Sequence, residues 1–141
     1  AGRRVDSGKH RHGALRDADL RTLPTLHPKL GVIRFDGALR FVNVSYFEDA
    51  LLKLERERPA VRYILVSSSG INYLDASGVE MLFNLTARLK ANDITLGFSG
   101  PKDQVRDVMD RTGLTVSVGA ANVFANDLEA FAALRARGTV N

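Results

Sequence analysis

Apolar and polar positions along the chain fall into two rhythms, one of period two and one of period three to four. Residues 31–42, GVIRFDGALRFV, read as a hairpin. Val32, Ile33 and Phe35 form one strand, Asp36-Gly37 is the turn signal, and Leu39, Phe41 and Val42 begin the return. Residues 43–58 then turn helical. Phe47, Ala50, Leu51 and Leu54 fall on one helical stripe, Asn43 or Ser45 is positioned to cap it, and Pro59 stops it. Residues 61–70, VRYILVSSSG, read as a buried strand, which INYL (71–74) extends as a loop or short strand. Ser77 opens a second helix to about Asn92, with Val79, Leu82, Phe83, Leu85 and Leu89 inward. Residues 93–100 form another strand. Pro101 suits the first position of a third helix, Val105, Val108 and Met109 its inner face, and Gly113 its left-handed cap. LTVSVG (114–119) reads as a short edge strand. Residues 122–138 read as a final amphipathic helix on Phe124, Leu128, Phe131 and Leu134.

Strand, strand, helix, then strand–helix repeated is an α/β order. It predicts a small mixed sheet with an N-terminal hairpin and about four helices packed mainly on one face. That domain is expected over 30–138. Residues 1–29 hold few apolar residues and read as a basic flexible leader or juxtamembrane linker. Pro24 and Pro28 suit an extended approach to the domain.

A chain of 141 residues is one domain by size and buries a real core without staples. Apolar content of 45% and charged content of 26% are ordinary. The absence of cysteine excludes a disulfide framework, thiolate metal sites and cysteine nucleophiles. The net charge of +4 sits entirely in residues 1–30, where seven Lys or Arg face three Asp; the remaining 13 basic and 13 acidic residues cancel. A neutral domain behind a basic leader lacks the footprint of a nucleic-acid binder. The leader reads as a solvated linker, or as a segment near anionic lipid, where each basic residue contributes about 1 kcal/mol. No apolar run approaches the roughly 18 residues of a membrane span. The chain starts without Met or a secretory signal, and a fragment of a longer protein is expected.

The candidate chemistry lies in INYLDASGVEML, residues 71–82. Ser77 before an apolar helical pattern, with Glu80 three residues on, is a capping box. A nucleophilic serine needs a base, yet the histidines are His10, His12 and His27, all in the leader, and no Gly-x-Ser-x-Gly is present. No catalytic residue is expected and the chain is not read as an enzyme. The helix opening at Ser77 and Gly78 suits weak anion or nucleotide binding, although no phosphate-loop motif is present and Asp75 would repel phosphate. Asp49, Asp75 and Glu80 are scattered acids without ligand spacing, so neither metal nor cofactor is expected. Ser67, Ser68, Ser69 and Asn72 border the corner, as a solvated loop or as part of a partner surface. The expected interaction corner is Asp75, Ala76, Ser77 and Gly78, with Ser69 and Asn72.

A strand followed by Asp-x-Ser-Gly at a helix start resembles the STAS domain (sulphate transporter and anti-sigma factor antagonist). The resemblance covers residues 30 to about 137, and residues 95–114 also look like that family's third strand, helix and Gly-Leu turn. Arg34, Phe35, Asp36, Leu39, Phe41, Asn43, Tyr46 and Phe47 match the form found in SulP anion transporters. The resemblance implies a non-catalytic regulatory or interaction domain on the cytoplasmic face of a bacterial inner membrane. Its implied partners are the transporter's own membrane domain and a cytoplasmic protein docking at the corner, the excised domain itself being soluble. The other branch is a free-standing anti-sigma factor antagonist, switched by phosphorylation of the hydroxyl directly after the Asp. Here that residue is Ala76, which cannot accept phosphate, and Ser77 matches the position after it. A weak nucleotide- or anion-sensing module is a third reading.

Overall fold

The computed structural model describes residues 3–4, 18–24 and 27–140. Its centre is β3 (Leu30–Leu39), a ten-residue strand. β2 (Asp19–Leu23) pairs with it antiparallel, Leu20 opposite Phe35. On its other side β4 (Tyr63–Ser67) pairs parallel, from Leu30 opposite Tyr63 to Arg34 opposite Ser67. β6 (Thr95–Ser99) and then β7 (Val123–Phe124) continue in parallel. β1 (Arg3–Arg4) lies antiparallel against β2. The order is β1-β2-β3-β4-β6-β7, with β5 (Ile71–Leu74) paired to the far end of β3. Parallel neighbours need a crossover. These are α1 (Val44–Glu57), α2 (Ala76–Ala91), and α3 (Asp103–Thr112) with α4 (Leu114–Val118); α5 (Asp127–Ala136) ends the chain's regular structure.

Alternation along the strands builds two cores. Ile33, Phe35 and Leu39 of β3, Ile64 and Val66 of β4, and Leu96 and Phe98 of β6 face the larger one. The stripe Phe47, Ala50, Leu51 and Leu54 of α1 covers it, with Val79, Leu82, Leu85 and Leu89 of α2 and residues of α3 and α4. Phe35 and Phe47 meet edge to face, ring centroids 5.5 Å apart at 71°. Leu30, Val32, Tyr63 and Leu65 face the other way, where α5 packs Ala130 and Leu134 onto them. Burial on both faces explains why YILV of β4 is continuously apolar. The smaller face has polar fastenings. The Tyr63 hydroxyl donates to Asn122 Oδ1 at 2.8 Å, and Arg137 Nη1 donates to the same oxygen at 2.9 Å. The Arg137 guanidinium lies over the Phe124 ring.

Several sequence expectations change. Asp36-Gly37 is not a turn. β3 runs through it, and a bulge between Gly37 and Ala38 moves the strand from β4 to β5. Asp36 stays in the strand because Arg34 Nη2 holds its carboxylate at 2.9 Å, and Gly37 N donates to Gly70 O. The N-terminal hairpin is formed one element earlier, by β2 and β3. Phe41–Asn43 is a 3-10 turn, not a returning strand. Asn43 is buried and stands at the N-cap position of α1, but its side chain makes no capping hydrogen bond; its Nδ2 donates to Ala38 O at 2.7 Å.

LTVSVG is helical, not an edge strand. Gly113, with φ 85°, turns the chain straight into α4, and Thr115 Oγ1 donates to Asp110, lowering that carboxyl's pKa. The edge is β7 instead. α5 starts later than expected, capped by Asn126, so Phe124 falls in β7 and Leu128 is 79% exposed. Pro101 precedes α3 by two residues rather than opening it. β2 adds Leu20 to the larger core, ahead of residue 30. Most of the expected flexible leader lies outside the described residues.

Two outcomes follow. Phe47→Ala should lower unfolding free energy by about 3–5 kcal/mol in urea titration, while Leu128→Ser should stay within about 0.5 kcal/mol of the parent. Burial raises the Tyr63 hydroxyl from 10.0 to about 12, against a smaller lowering by Arg137. Its share of stability is therefore complete below pH 10 and is lost as pH rises towards 12. Tyr63→Phe should flatten the fall of the unfolding midpoint across that window, and a slope equal to the parent's would refute the assignment.

Candidate functional site

The corner is built where β5 gives way to α2. Asp75, in extended conformation (φ −94°, ψ 178°), is the N-cap. Its Oδ1 accepts from Gly78 N at 2.8 Å and its Oδ2 from Phe41 N at 3.0 Å. Its own N–H donates to Leu39 O at 3.2 Å. One side chain thus closes the helix, fastens the 3-10 turn and ties both to the end of β3. The cap is Asp75, not Ser77, and the Ser77–Glu80 capping box expected from spacing is not formed. Three residues separate Asp75 from Gly78, the reach of an N-cap carboxylate to the third helical N–H. Ser77 is already inside the first turn.

Gly78 is needed for its lack of a side chain. A Cβ there would stand 2.5 Å from Leu39 O and 2.9 Å from Leu74 Cδ1. Its N–H, counted as an anion donor from sequence, already serves Asp75. An anion at Ser77 and Gly78 would have to displace a carboxylate standing at the helix opening. Ala76 is exposed and offers only a methyl group. Ser77 is half-buried and lines a groove of about 340 Å³ with Phe41, Val44, Glu48, Glu80 and Met81.

The bordering polar residues divide. Ser69 is exposed, and its Oγ accepts from Arg34 Nη1 at 3.0 Å; Asn72 is also exposed. Ser67 and Ser68 are buried, which corrects their reading as loop or partner surface. Ser68 Oγ donates to Val66 O at 2.7 Å, and Ser67 Oγ donates to Asp127 Oδ1 at 3.1 Å. Ser99 Oγ also donates to Asp127. Asp127 therefore links the ends of β4 and β6 to the first turn of α5. Sequence reasoning missed it, because nothing local marks an acid in a helical first turn as a cross-chain acceptor.

Sequence reasoning also missed the apolar part of the corner. Phe41 is 76% exposed, Tyr73 54% and Val42 52%. Strand pairing sets Tyr73 opposite Ala38, and the Asp75 carboxylate holds Phe41 N, so both aromatics stand at the same end of the sheet. The signal for Tyr73 was present: INYL places Ile71 and Leu74 inward, and the two residues between them face out. Phe41 and Val42 were hidden by the false hairpin. Among the described residues no group of three or more His, Asp or Glu is arranged to hold a metal. His27 Nδ1 accepts from Lys29 N, far along the chain from Ser77, and His10 and His12 lie outside the described residues. Among the described residues no helix is long and apolar enough to cross a membrane.

The fold has counterparts among known proteins. The family model for the STAS domain matches residues 22–130. Sulfate transporter 4.1 of Arabidopsis thaliana is 29% identical over 98 residues, which are 62% of this chain and 14% of that protein. High affinity sulfate transporter 2 of Stylosanthes hamata is 24% identical over 114 residues, 74% of this chain and 17% of that protein. The chain thus spans less than a fifth of the length of these relatives. Among solved structures, the SulP transporter STAS domain from Vibrio cholerae superposes with a TM-score of 0.63 at 19% identity, covering 82% of this chain and 88% of that one. The anti-sigma factor antagonist SpoIIAA in its unphosphorylated form gives 0.65 at 24% identity, covering 86% and 99%. The family model covers residues 22–130, more than half of the chain, and the chain belongs to the STAS domain family.

Proposed function

We propose that this STAS domain is a non-catalytic docking and regulatory module of a SulP-type anion transporter, working at the cytoplasmic face of the membrane. The observation that carries this reading is the corner itself. Both Asp75 oxygens are engaged by backbone N–H groups of the same chain, so the carboxylate is a structural brace rather than a reagent. Beside it stand Phe41 and Tyr73, aromatic, exposed and fixed by backbone hydrogen bonds and strand pairing. Rigid exposed aromatics next to a groove suit protein contact. The named relatives are sulfate transporters, which supports the transporter's own membrane domain as the first partner.

Ala76 weighs against the antagonist branch. The position that the resemblance assigns to a phosphorylated hydroxyl carries none. A tethered domain needs no such switch, since its partner is held at high effective concentration by the chain itself. The basic residues 1–30 suit the approach to an anionic membrane surface.

Cell fractionation with an antibody against this domain tests the reading. The expected result is a band several-fold larger than 15.4 kDa, confined to membranes. A cytosolic band near that mass would overturn it in favour of a free-standing antagonist. Within the intact transporter, Phe41→Ser with Tyr73→Ser should leave membrane abundance unchanged and alter anion uptake. Loss of an aromatic hot spot, about 2 kcal/mol or more, is enough to empty a docking contact. Unchanged uptake would remove the corner from the docking surface.

A further inference from the structure

The groove beside the corner has a chemistry of its own. Its volume is about 340 Å³, and it lies between the first turns of α1 and α2. On α1, Val44 and Glu48 stand one turn apart on the same face. On α2, Ser77, Glu80, Met81 and Asn84 fall at i, i+3, i+4 and i+7, a single stripe. Ser45, Ser77 and Asn84 are small or polar, so the two helices meet imperfectly here. Met81 is buried at the floor and Val44 is half-buried, while Phe41 stands at the edge, 76% exposed.

The charge of the groove has one sign. Glu48 lines it from α1 and Glu80 from α2, and no lysine or arginine lines it. Glu48 is half-buried and Glu80 exposed, and neither carboxylate has a hydrogen-bond or ion-pair partner among the described residues. Elsewhere on the helices acids are paired one turn away, as in Lys53–Glu57, Arg106–Asp110 and Arg111–Asp107. Glu80 is the acid that spacing assigned to a capping box with Ser77. Because Asp75 caps α2 instead, the Glu80 carboxylate is left at the groove. A carboxylate partly desolvated beside apolar side chains is stabilised most by a cation that also donates hydrogen bonds.

We propose that this groove receives a cationic segment of a partner protein, in which one large apolar side chain is flanked by lysine or arginine. The apolar side chain lies on Phe41, Val44 and Met81, and the flanking cations meet Glu48 and Glu80. Charge complementarity selects this occupant, since an acidic segment would set like charges against both walls. The volume stands at the low end of the about 300–1,000 Å³ typical of binding clefts, so it admits an anchoring side chain rather than a whole helix. The inference rests on the docking reading and adds to it the chemistry of the partner.

The test uses the whole 141-residue chain, labelled with nitrogen-15. The probe is a short peptide of leucine and lysine, with a leucine–glutamate peptide and a serine–lysine peptide as controls. Saturable shifts are expected at the Val44, Glu48, Ser77 and Met81 amides, with Arg135 on the other face unmoved. The serine–lysine peptide, which lacks the apolar anchor, should bind at least about tenfold more weakly, and the leucine–glutamate peptide should leave the groove unshifted. Glu48→Gln with Glu80→Gln should weaken the leucine–lysine peptide by about tenfold, the loss of two surface ion pairs. Glu48→Lys with Glu80→Lys should exchange the preference, so that the leucine–glutamate peptide binds instead. Glu129→Gln, at an exposed acid of α5, should change nothing. Absence of saturable shifts in the groove, equal binding of the leucine–glutamate peptide, or an unaffected Glu48→Gln, Glu80→Gln variant would each overturn the proposal. If it falls on these grounds while Phe41→Ser with Tyr73→Ser still alters anion uptake, the docking reading stands with a partner of other chemistry. Binding that follows the charge exchange, together with unaltered uptake, would support the groove's chemistry and remove the transporter's use of it.

Discussion

Asp75 joins three parts of the chain that are distant in sequence. Its carboxylate caps α2 through Gly78, holds the 3-10 turn through Phe41, and its backbone hangs from the end of β3 at Leu39. Each hydrogen bond to an ionised acceptor is stronger than a neutral one, and the negative charge meets the positive end of the α2 dipole. The close approach of Gly78 to Leu39 follows from this fastening. With a side chain at residue 78 the helix would stand off β3, and the carboxylate could not reach both donors. The exposed aromatics therefore depend on an acid that never needs to touch a partner.

The sheet behind the corner is unequal on its two faces. Four helices cover the larger core, while one helix, fastened by Asp127 at its start and by the Tyr63–Asn122–Arg137 cluster beyond its end, covers part of the other. A single helix about 10–12 Å wide is narrower than the sheet. Leu23, Phe131 and Val140 therefore help to close that face over Leu30 and Val32, which are buried.

Much of this fold was legible in the residues. The stripe Phe47, Ala50, Leu51 and Leu54 gave α1, continuous apolarity gave β4, and Gly113 gave the left-handed end of α3. The errors share a cause, since residue-type signals were outvoted by specific hydrogen bonds and ion pairs, some from neighbours and some from distant residues. Asp36-Gly37 has turn chemistry, but Arg34 and Gly70 hold it extended. LTVSVG has strand composition, but Gly113 and the Thr115–Asp110 hydrogen bond turn it helical. At the corner, Asp75, Gly78 and Ala76 were found by motif, whereas the role of cap went to the wrong hydroxyl. Ser67 and Ser68 looked like loop because no spacing rule announces an acceptor sixty residues later at Asp127. Tyr73 and Phe41 became visible only once strand pairing was known.

The turn at residues 41–43 has a kinetic consequence. It is held at both ends, by Asp75 on the Phe41 N–H and by the Asn43 amide on Ala38 O. Phe41 is thus presented in one backbone conformation before any partner arrives, and little ordering remains for the encounter. On the proposed docking role, association would depend mainly on orientation, with on-rates that vary little among related partners. Partners that share this surface would differ in how long they stay, and changes around Phe41 would be read out in lifetimes.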